Sequence, residues 1–389
     1  LRVKGNLYQS HMGADYELIE TPAVLKSIVK ALRGEPVIAV DLEADSMYHF
    51  QEKVCLLQLA FGKVNAVIDP LQVQDLSPLK PVFADAGVQK VFHGADYDVR
   101  SLYRDFQIEI NNLFDTELAS RFLGIAGTGL EAVLQARFNV KLNKKFQRKD
   151  WSRRPLSGEM MAYAAGDVKY LLPLARMLED ELKDTGRLAW VYEECGLLSN
   201  VRAVQNDHEP LFVHFKGAGR LGARSLAVLE GLLQFRKKVA RKKDRPLFKV
   251  FSNQSLMNLA LKKPVSTRQL EKADVLSRKQ INMYGDAIIG VIADAKAQPA
   301  ADLPTYPRKK AVQVHPRVPD RIKALKVWRN RKAKSLGIEA GLLINKNLMT
   351  VLAVENPHDW ASLERIPELK KWQKTEFGQD LIAILAKSR

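Results

Sequence analysis

Four acidic side chains follow apolar segments at three separate places in the chain, and together they could hold divalent cations. Asp41 and Glu43 come directly after the apolar run 37–40. A spacing of two along a strand places both carboxylates on one face, where they repel each other unless a cation neutralises them. The alternative is a strand that simply ends in polar residues at the surface.

The other two acids belong to predicted helices. Residues 88–92 predict a strand that leads into a helix; Asp98 in the first turn is the better candidate ligand, and Asp96 is expected to cap the helix. Capping is the competing explanation for both acids. Tyr163 and Asp167 are four residues apart, which places the phenol and the carboxylate on one helix face. Taken alone, an exposed Asp beside a core Tyr would explain that pair, but the four carboxylates together form the pattern of a two-metal site.

Positioning these side chains requires a sheet with helices packed on it. Apolar and β-branched runs predict strands, and the first three lie close enough in sequence to form hairpins. The predicted strands cover residues 37–43, 54–61, 64–68 and 88–92. Helical periodicity covers residues 97–106 and nearly everything from residue 130, including one long stretch over 158–184. Three successive strands followed by alternating strand and helix predict an α/β fold with a mixed sheet.

Beyond about residue 200 the strand signals vanish and two helical blocks remain. They cover residues 221–295 and 320–386, and a Pro-rich, basic linker, residues 296–319, separates them. The blocks share an ordered set of residues at an offset of 92 to 93 positions, which indicates that one small helical domain is duplicated. In this set Phe235-Arg236 recurs as Trp328-Arg329, and Asn253, Leu256 and Ala260 recur as Asn345, Leu348 and Ala353.

The charge is divided unevenly along the chain. Residues 1–200 contain 24 Lys or Arg and 27 Asp or Glu, whereas residues 201–389 contain 37 and 17, a net charge of +20. A basic excess of this size predicts a polyanionic partner, because neutralising phosphates releases counterions. A merely soluble basic surface is the alternative.

Composition and motif searches exclude several other classes of protein. No apolar run approaches the roughly 18 to 20 residues that span a bilayer, so no membrane partner is expected. Two cysteines cannot build a disulfide framework or a zinc site, which favours a cytoplasmic location. Residues 217–222 fit G-x-G-x-x-G, but no βαβ unit follows and no G-x-x-x-x-G-K-[ST] occurs, so no nucleotide cofactor is expected. Residues 1–13 are interpreted as the remnant of a cloning tag.

The three acidic segments, in this order, resemble the motifs of ribonuclease D, which belongs to the DEDD exonuclease superfamily and carries the tyrosine variant of its third motif. Asp41-x-Glu43 matches the first motif, His93-Gly-Ala-x-x-Asp98 the second and Tyr163-x-x-x-Asp167 the third. Residues 147–156 are similar to the stretch that precedes the third motif, with Lys149 where that family usually has serine. The two helical blocks resemble helicase-and-RNase-D C-terminal (HRDC) domains, which bind nucleic acid as auxiliaries.

The resemblance implies a fold and a domain order. A ribonuclease H-like exonuclease domain with a mixed sheet, residues 14–204, is expected to precede two small all-α domains, residues 215–295 and 320–389. If these are separate domains, removing residues 205–389 should leave a folded nuclease with weaker affinity for RNA.

The activity that the resemblance implies is that of a 3′–5′ exoribonuclease. Such an enzyme trims RNA 3′ ends, tRNA precursors among them, and releases nucleoside 5′-monophosphates with two Mg²⁺ or Mn²⁺ ions as cofactors. By resemblance, Asp41, Glu43 and Asp167 would hold the ion that activates water. Asp41 would bridge to the second ion, Asp98 would reach that ion through water, and Tyr163 would orient the attacking water. The alternatives are a DNA-directed exonuclease and a non-catalytic scaffold that binds nucleic acid.

Five further side chains are candidates for contact with RNA: Gln58, His93, Lys144, Arg148 and Arg153. Gln58 is expected in the sheet next to the first motif, near the terminal nucleotide. His93 belongs to the second motif, although a hydrogen-bonded structural histidine explains it equally well. The three cations precede the third motif, where they could grip backbone phosphates; an ordinary solvated charge run is the alternative.

Overall fold

The computed structural model describes residues 16–203, 209–307 and 315–387. The predicted tag, residues 1–13, and residues 308–314 of the predicted linker lie outside the described residues. Backbone contacts divide the chain into two compact units. The first contains the described residues of 1–44, 54–203 and 313–389, and the second contains those of 45–53 and 204–312. The second helical block therefore belongs to the same unit as the exonuclease-like segment.

A mixed six-stranded sheet lies at the centre of the described part of the first unit and confirms the predicted fold class. The strands are β1 (Glu17–Ile19), β2 (Val37–Ala44), β3 (Val54–Phe61), β4 (Val64–Ile68), β5 (Gln89–Phe92) and β6 (Leu113–Asp115). Their order across the sheet is β1-β4-β3-β2-β5-β6. Strands β2, β3 and β4 pair antiparallel, whereas β1 with β4, β2 with β5, and β5 with β6 pair parallel. Sequence analysis did not predict β1 and β6, because three residues are too few to show a pattern.

Helices cover this sheet in the described residues up to 203. They are α1 (Pro22–Leu32), α2 (Pro70–Val73), α3 (Lys80–Ala84), α4 (Asp96–Phe106), α5 (Thr116–Phe122), α6 (Leu130–Phe138), α7 (Gly158–Lys169), α8 (Leu171–Asp184) and α9 (Leu188–Leu198). The single helix expected over 158–184 is thus two helices, separated at Tyr170. Pro173 explains the break, since a proline has no N–H for an interior helical hydrogen bond and its ring clashes with the preceding turn.

The start of α4 also differs from the prediction. Ala95 precedes the helix, and Asp96 lies in its first turn, where it pairs with Arg100 at 2.8 Å. No side chain caps α4. The Asp115 carboxylate, which caps α5, also accepts hydrogen bonds from the backbone N–H groups of Gly94 and Ala95, just before α4, at 2.9 Å each. The expectation that Asp96 caps the helix is therefore wrong, because Asp96 lies within the helix and its carboxylate pairs with Arg100.

The remaining described residues are helical and form two similar sets. The second unit contains α10 (Ala223–Lys242), α11 (Leu247–Val250), α12 (Asn253–Lys262), α13 (Thr267–Ala273) and α14 (Arg278–Ala297). The first unit contains α15 (Val318–Leu336), α16 (Ala340–Leu343), α17 (Lys346–Glu355), α18 (Trp360–Glu364) and α19 (Lys371–Lys387). Short 3₁₀ turns occur at Ser77–Leu79, Leu211–His214, Ala218–Arg220 and Ala300–Asp302. Within the described ranges, no helix combines the length and the apolar character needed to cross a bilayer.

The two helical sets share one plan at a constant offset of 93 residues, as the starts of α11 and α16 and of α12 and α17 show. Equivalent hydrogen bonds support the duplication: the Arg236 guanidinium donates to the Phe251 carbonyl at 3.1 Å, and that of Arg329 donates to the Ile344 carbonyl at 3.2 Å. The N-caps Ser252 and Asn345 are also equivalent. The structure therefore pairs Asn345 with Ser252, which corrects the sequence match to Asn253.

Candidate active site

Strand β2 and helix α7 bring the first and third acidic segments together. Asp41 and Glu43 lie on one face of β2, as their spacing predicts. One helical turn separates Tyr163 from Asp167 on α7, and the Tyr163 hydroxyl donates a hydrogen bond to the Asp167 carboxylate. The pairing register of β2 with β3 shifts between Glu43 and Ala44. Such irregularities are frequent beside active sites, where they change the direction of a side chain.

A cavity of about 400 Å³ lies between these elements. Its lining includes six of the predicted site residues: Asp41, Glu43, His93, Lys144, Tyr163 and Asp167. Asp98 does not line the cavity, but its carboxylate is close enough for Asp41 to raise its pKa. The structure therefore gathers all three acidic segments around one space, although they span more than 120 positions of the sequence.

The carboxylates of this cluster are buried and repel one another. Burial raises the pKa of Asp41 to about 7, and burial together with the charge of Asp41 raises that of Asp167 to about 8. Burial and the charges of the other three acids raise the pKa of Glu43 to about 10. Burial and the neighbouring acids raise the pKa of Asp98 well above its ordinary value. Without a cation, these carboxylates therefore bind protons, which neutralise their negative charge.

The donor set fits a hard divalent cation. Carboxylate oxygens are the ligands that Mg²⁺ and Mn²⁺ prefer, and a cation would neutralise the repulsion among the four acids. In the part of the chain that the structure describes, no group of three or more His, Cys, Asp or Glu side chains is arranged to hold a metal ion as it stands. The hydrogen bond from Tyr163 uses only part of the acceptor capacity of the Asp167 carboxylate, so its remaining lone pairs can bind a cation.

The other predicted contact residues occupy different environments. Lys144 forms an ion pair with Glu131, which lines the same cavity. His93 Nδ1 lies 2.9 Å from the Thr116 hydroxyl, and the imidazole also hydrogen-bonds to the backbone of Thr128. Arg148 and Arg153 are exposed and lie outside the cavity lining, and Arg153 pairs with Asp150 at 3.0 Å.

Gln58 has a different environment from these residues because it is fully buried in β3. Its side chain does not reach the cavity surface.

Sequence analysis missed Glu131 and Gln147 as cavity residues. Glu131 is in the first turn of α6, and Gln147 lies in the segment between α6 and α7. Glu131 has no local pattern that separates it from ordinary surface residues, and the resemblance of residues 147–156 to the family assigns no role to Gln147. Their positions depend on how that segment folds back over the sheet, which the spacing of motifs does not reveal.

The segment between α6 and α7 is anchored by buried contacts. The Arg154 guanidinium holds the Asp69 carboxylate with two hydrogen bonds, at 2.5 and 2.8 Å, and donates to the Cys55 carbonyl at 3.0 Å. Trp151 is fully buried, and its ring centroid lies 6.0 Å from that of Tyr163. The segment therefore supports the ring of Tyr163 from behind while its other end lines the cavity.

Known proteins resemble this chain over most of its length. Residues 16–183 match the 3′–5′ exonuclease family, and residues 225–292 and 319–385 each match the HRDC domain. Ribonuclease D of Granulibacter bethesdensis is 29% identical over 370 residues, covering 94% of this chain and 92% of that protein. Ribonuclease D of Escherichia coli K12 is 31% identical over 291 residues, covering 75% and 77%. The crystal structure of Escherichia coli RNase D, an exoribonuclease involved in structured RNA processing, has a TM-score of 0.74 at 28% identity, covering 96% of this chain and 99% of that one.

Proposed function

Because this chain belongs to the ribonuclease D family of 3′–5′ exoribonucleases, we propose that it hydrolyses the terminal phosphodiester of RNA in the cavity formed by β2 and α7. The products are nucleoside 5′-monophosphates, and the substrates include tRNA precursors and other structured RNAs. The observation that carries the proposal is the cluster of four buried carboxylates from three separate elements around one cavity.

Asp41, Glu43, Asp98 and Asp167 are proposed to hold two Mg²⁺ or Mn²⁺ ions. When bound, the ions stabilise the charges of the attacking and leaving oxygens during an in-line displacement. Asp41 is proposed as the ligand that both ions would share, as the family resemblance implies, and its charge raises the pKa of the other three acids. Asp98, buried and outside the cavity lining, is assigned to an ion through a water molecule.

Tyr163 is proposed to orient the attacking water. Burial and the surrounding carboxylates raise the pKa of its phenol, so it stays protonated and acts as a hydrogen-bond donor or acceptor rather than as a base. Its bond to Asp167 and the packing of its ring against Trp151 and Phe146 fix the hydroxyl beside the acids. Fixing the direction of attack lowers the barrier by orientation.

Lys144 and His93 are proposed to contact the RNA strand at the cavity. Lys144 could exchange its ion pair with Glu131 for a substrate phosphate, and His93 lines the same cavity. Arg148 and Arg153 are proposed to meet phosphates farther from the scissile bond, because both are exposed outside the cavity.

The proposal is tested with the full chain on end-labelled RNA and on DNA of the same sequence, each with Mg²⁺, with Mn²⁺ and with chelator. We expect a ladder of products shortened from the 3′ end, with release of nucleoside 5′-monophosphates, only when RNA and a divalent ion are both present. Equal rates on DNA would favour the DNA-directed alternative. Undiminished cleavage in chelator would contradict the metal assignment.

A further inference from the structure

Gln58 has an environment that is unusual for a long polar side chain. It is fully buried in the middle of β3. Neither its Nε2 nor its Oε1 has a hydrogen-bond partner among the described residues. Buried amides are almost always hydrogen-bonded, because an unpaired buried group loses its bonds to water without compensation. A fully buried position on an apolar strand would more readily hold Leu or Met.

The sheet register places Gln58 directly opposite Asp41. Residues opposite each other on antiparallel strands point to the same face, with Cβ atoms about 4.5 to 5.5 Å apart. Leu56, two residues before Gln58 and therefore on that same face, packs with Ala164 and Ala165 of α7. Gln58 and Asp41 therefore share the sheet face on which α7 packs.

We propose that Gln58 is a positioning residue for Asp41. In the working enzyme its amide N–H donates to one Asp41 oxygen and leaves the other oxygen directed toward the cavity. This bond would offset the cost of burying an amide that has no other partner among the described residues. This inference rests on the proposed function, since it assigns Gln58 a role in the same metal-dependent site.

Burial favours this role over a direct contact with RNA. A contact with the terminal nucleotide needs a side chain on the cavity surface, and Gln58 has no exposed surface. A role in folding alone would require hydrogen bonds that hold neighbouring elements together. Asn65 shows what such bonds look like here: its amide donates to the Ala165 carbonyl at 2.8 Å and so ties β4 to α7.

The test replaces Gln58 with Leu and, separately, with Met, two apolar side chains of similar size. We expect kcat to fall by about 10 to 100-fold, the effect typical of removing a side chain that orients a metal ligand, while KM for RNA changes less than about twofold. Affinity for Mn²⁺, measured by calorimetry without RNA, should fall over the same range. The Tm of the metal-free protein should stay at the wild-type value or rise, because an unpaired buried amide is removed.

A matched control is Gln373→Leu. Gln373 is also buried, but its amide donates to the Leu343 carbonyl at 2.5 Å and accepts from the Lys370 N–H at 2.9 Å. This control should lower the Tm and leave kcat and Mn²⁺ affinity unchanged.

Two outcomes overturn the proposal for Gln58. One is wild-type kcat and Mn²⁺ affinity in the Leu and Met variants. The other is a lower metal-free Tm in both, which would show that the amide is already satisfied without metal. If the wild-type protein cleaves no RNA, the proposed function fails, whereas the Mn²⁺ titrations still decide the role of Gln58.

Discussion

At the scale of single residues, the site combines groups that oppose one another in the metal-free protein. The charges of Asp41, Asp98 and Asp167 repel that of Glu43, and burial removes water from all four carboxylates. Selection for stability alone would replace such a cluster with apolar side chains. Its presence is explained by a ligand of opposite charge, and the predictions at this scale follow from that charge balance.

Replacing Asp41 with Asn should reduce hydrolysis by at least about 100-fold, because a ligand assigned to both ions is lost. RNA binding should remain intact, since one negative charge is removed from a site that receives a polyanion. Single-turnover cleavage and a filter-binding assay measure the two effects. Asp96→Asn is the matched control: Asp96 lies in the second motif but is exposed and paired with Arg100. Near-normal turnover of the Asp41 variant would remove Asp41 from the site.

Replacing Tyr163 with Phe should slow the chemical step by roughly 10 to 1,000-fold, because the hydroxyl that orients the water is lost. The ring and its contacts with Trp151 and Phe146 remain, so the Tm should barely change. The hydrogen bond from Tyr163 lowers the pKa of Asp167. Removing that bond should therefore shift the pH dependence of the stability of the metal-free protein to higher pH. Single-turnover rates at saturating Mg²⁺ provide the measurement, and an unchanged rate would count against the catalytic role.

The stability of the metal-free protein should fall as pH rises through the neutral range. The ordinary pKa of Asp is 3.8 and that of Glu is 4.5. Folding raises the pKa of Asp41 to about 7, that of Asp167 to about 8 and that of Glu43 to about 10. Between the ordinary and the raised pKa values, the folded state therefore binds more protons than the unfolded state. Its stability decreases as the pH rises through this range.

This pH dependence is measured as Tm in chelator from pH 6 to 9. Saturating Mg²⁺ should reverse most of the decrease, because the cation replaces the protons. Asp41→Asn in chelator should show a shallower decrease, since one charge is missing. Equal slopes for the wild-type and variant proteins would contradict the assignment of these pKa shifts to mutual repulsion.

At the scale of secondary structure elements, the sequence predicted strands β2 to β5 and the faces they present, because apolar runs of four to eight residues carry a clear pattern. The shared face of Asp41 and Glu43, and that of Tyr163 and Asp167, followed from the periods of strand and helix. The hydrogen bonds from Gly94 and Ala95, just before α4, to Asp115 did not, because Asp115 comes from β6, a strand of three residues. Long-range contacts of this kind have no signature in local sequence.

The cavity shows the same limit. Lys144 was predicted as a phosphate contact from its charge and its place before the third motif, but its partner Glu131 was not. Nothing in the sequence relates residue 131 to the first motif, since the two meet only when the segment anchored by Arg154 and Asp69 folds over the sheet.

The duplicated helical sets provide a paired test of helix packing. Gly285 in α14 and Gly378 in α19 are equivalent at the 93-residue offset. A Cβ on Gly285 would find its nearest neighbours at 3.4 and 3.6 Å, whereas one on Gly378 would lie 2.6 Å from the Trp360 ring and 2.8 Å from Leu363. The first set therefore has room for a methyl group, and the second does not.

Gly285→Ala should be neutral or stabilising by up to about 1 kcal/mol, because Ala is the better helix former. Gly378→Ala should be destabilising by about 1 to 3 kcal/mol, since the added methyl overpacks a buried leucine. Thermal unfolding of the two variants beside the wild-type protein measures the difference. Equal Tm changes for both would show that the contacts of Trp360 and Leu363 with Gly378 do not determine packing in the second set.

At the scale of the whole molecule, the second helical set is part of the structural unit that carries the site. Trp372 of α19 stacks on Trp190 of α9 with ring centroids 4.7 Å apart and contacts Phe122 at 5.7 Å. Glu194 of α9 accepts hydrogen bonds from both Lys370 and the Trp372 indole. The charge count suggested a detachable basic half, but these contacts show that its last segment is also a structural partner of the exonuclease domain.

The expected effect of truncation therefore changes. A chain that ends at residue 204 loses the partners of Trp190 and Phe122, which are 5% and 0% exposed in the folded protein. Because buried aromatic side chains contribute about 150 to 250 Å² each, their exposure creates an apolar patch large enough to cause association. We expect this chain to aggregate on size-exclusion chromatography and to melt at a lower temperature than the full chain.

A matched control replaces residues 209–307 with a flexible Gly/Ser linker and keeps residues 315–387. This variant should remain monomeric and retain metal-dependent cleavage, with weaker and less salt-dependent binding to RNA. A monomeric chain ending at 204 with an unchanged Tm would show that the second helical set is dispensable for the fold.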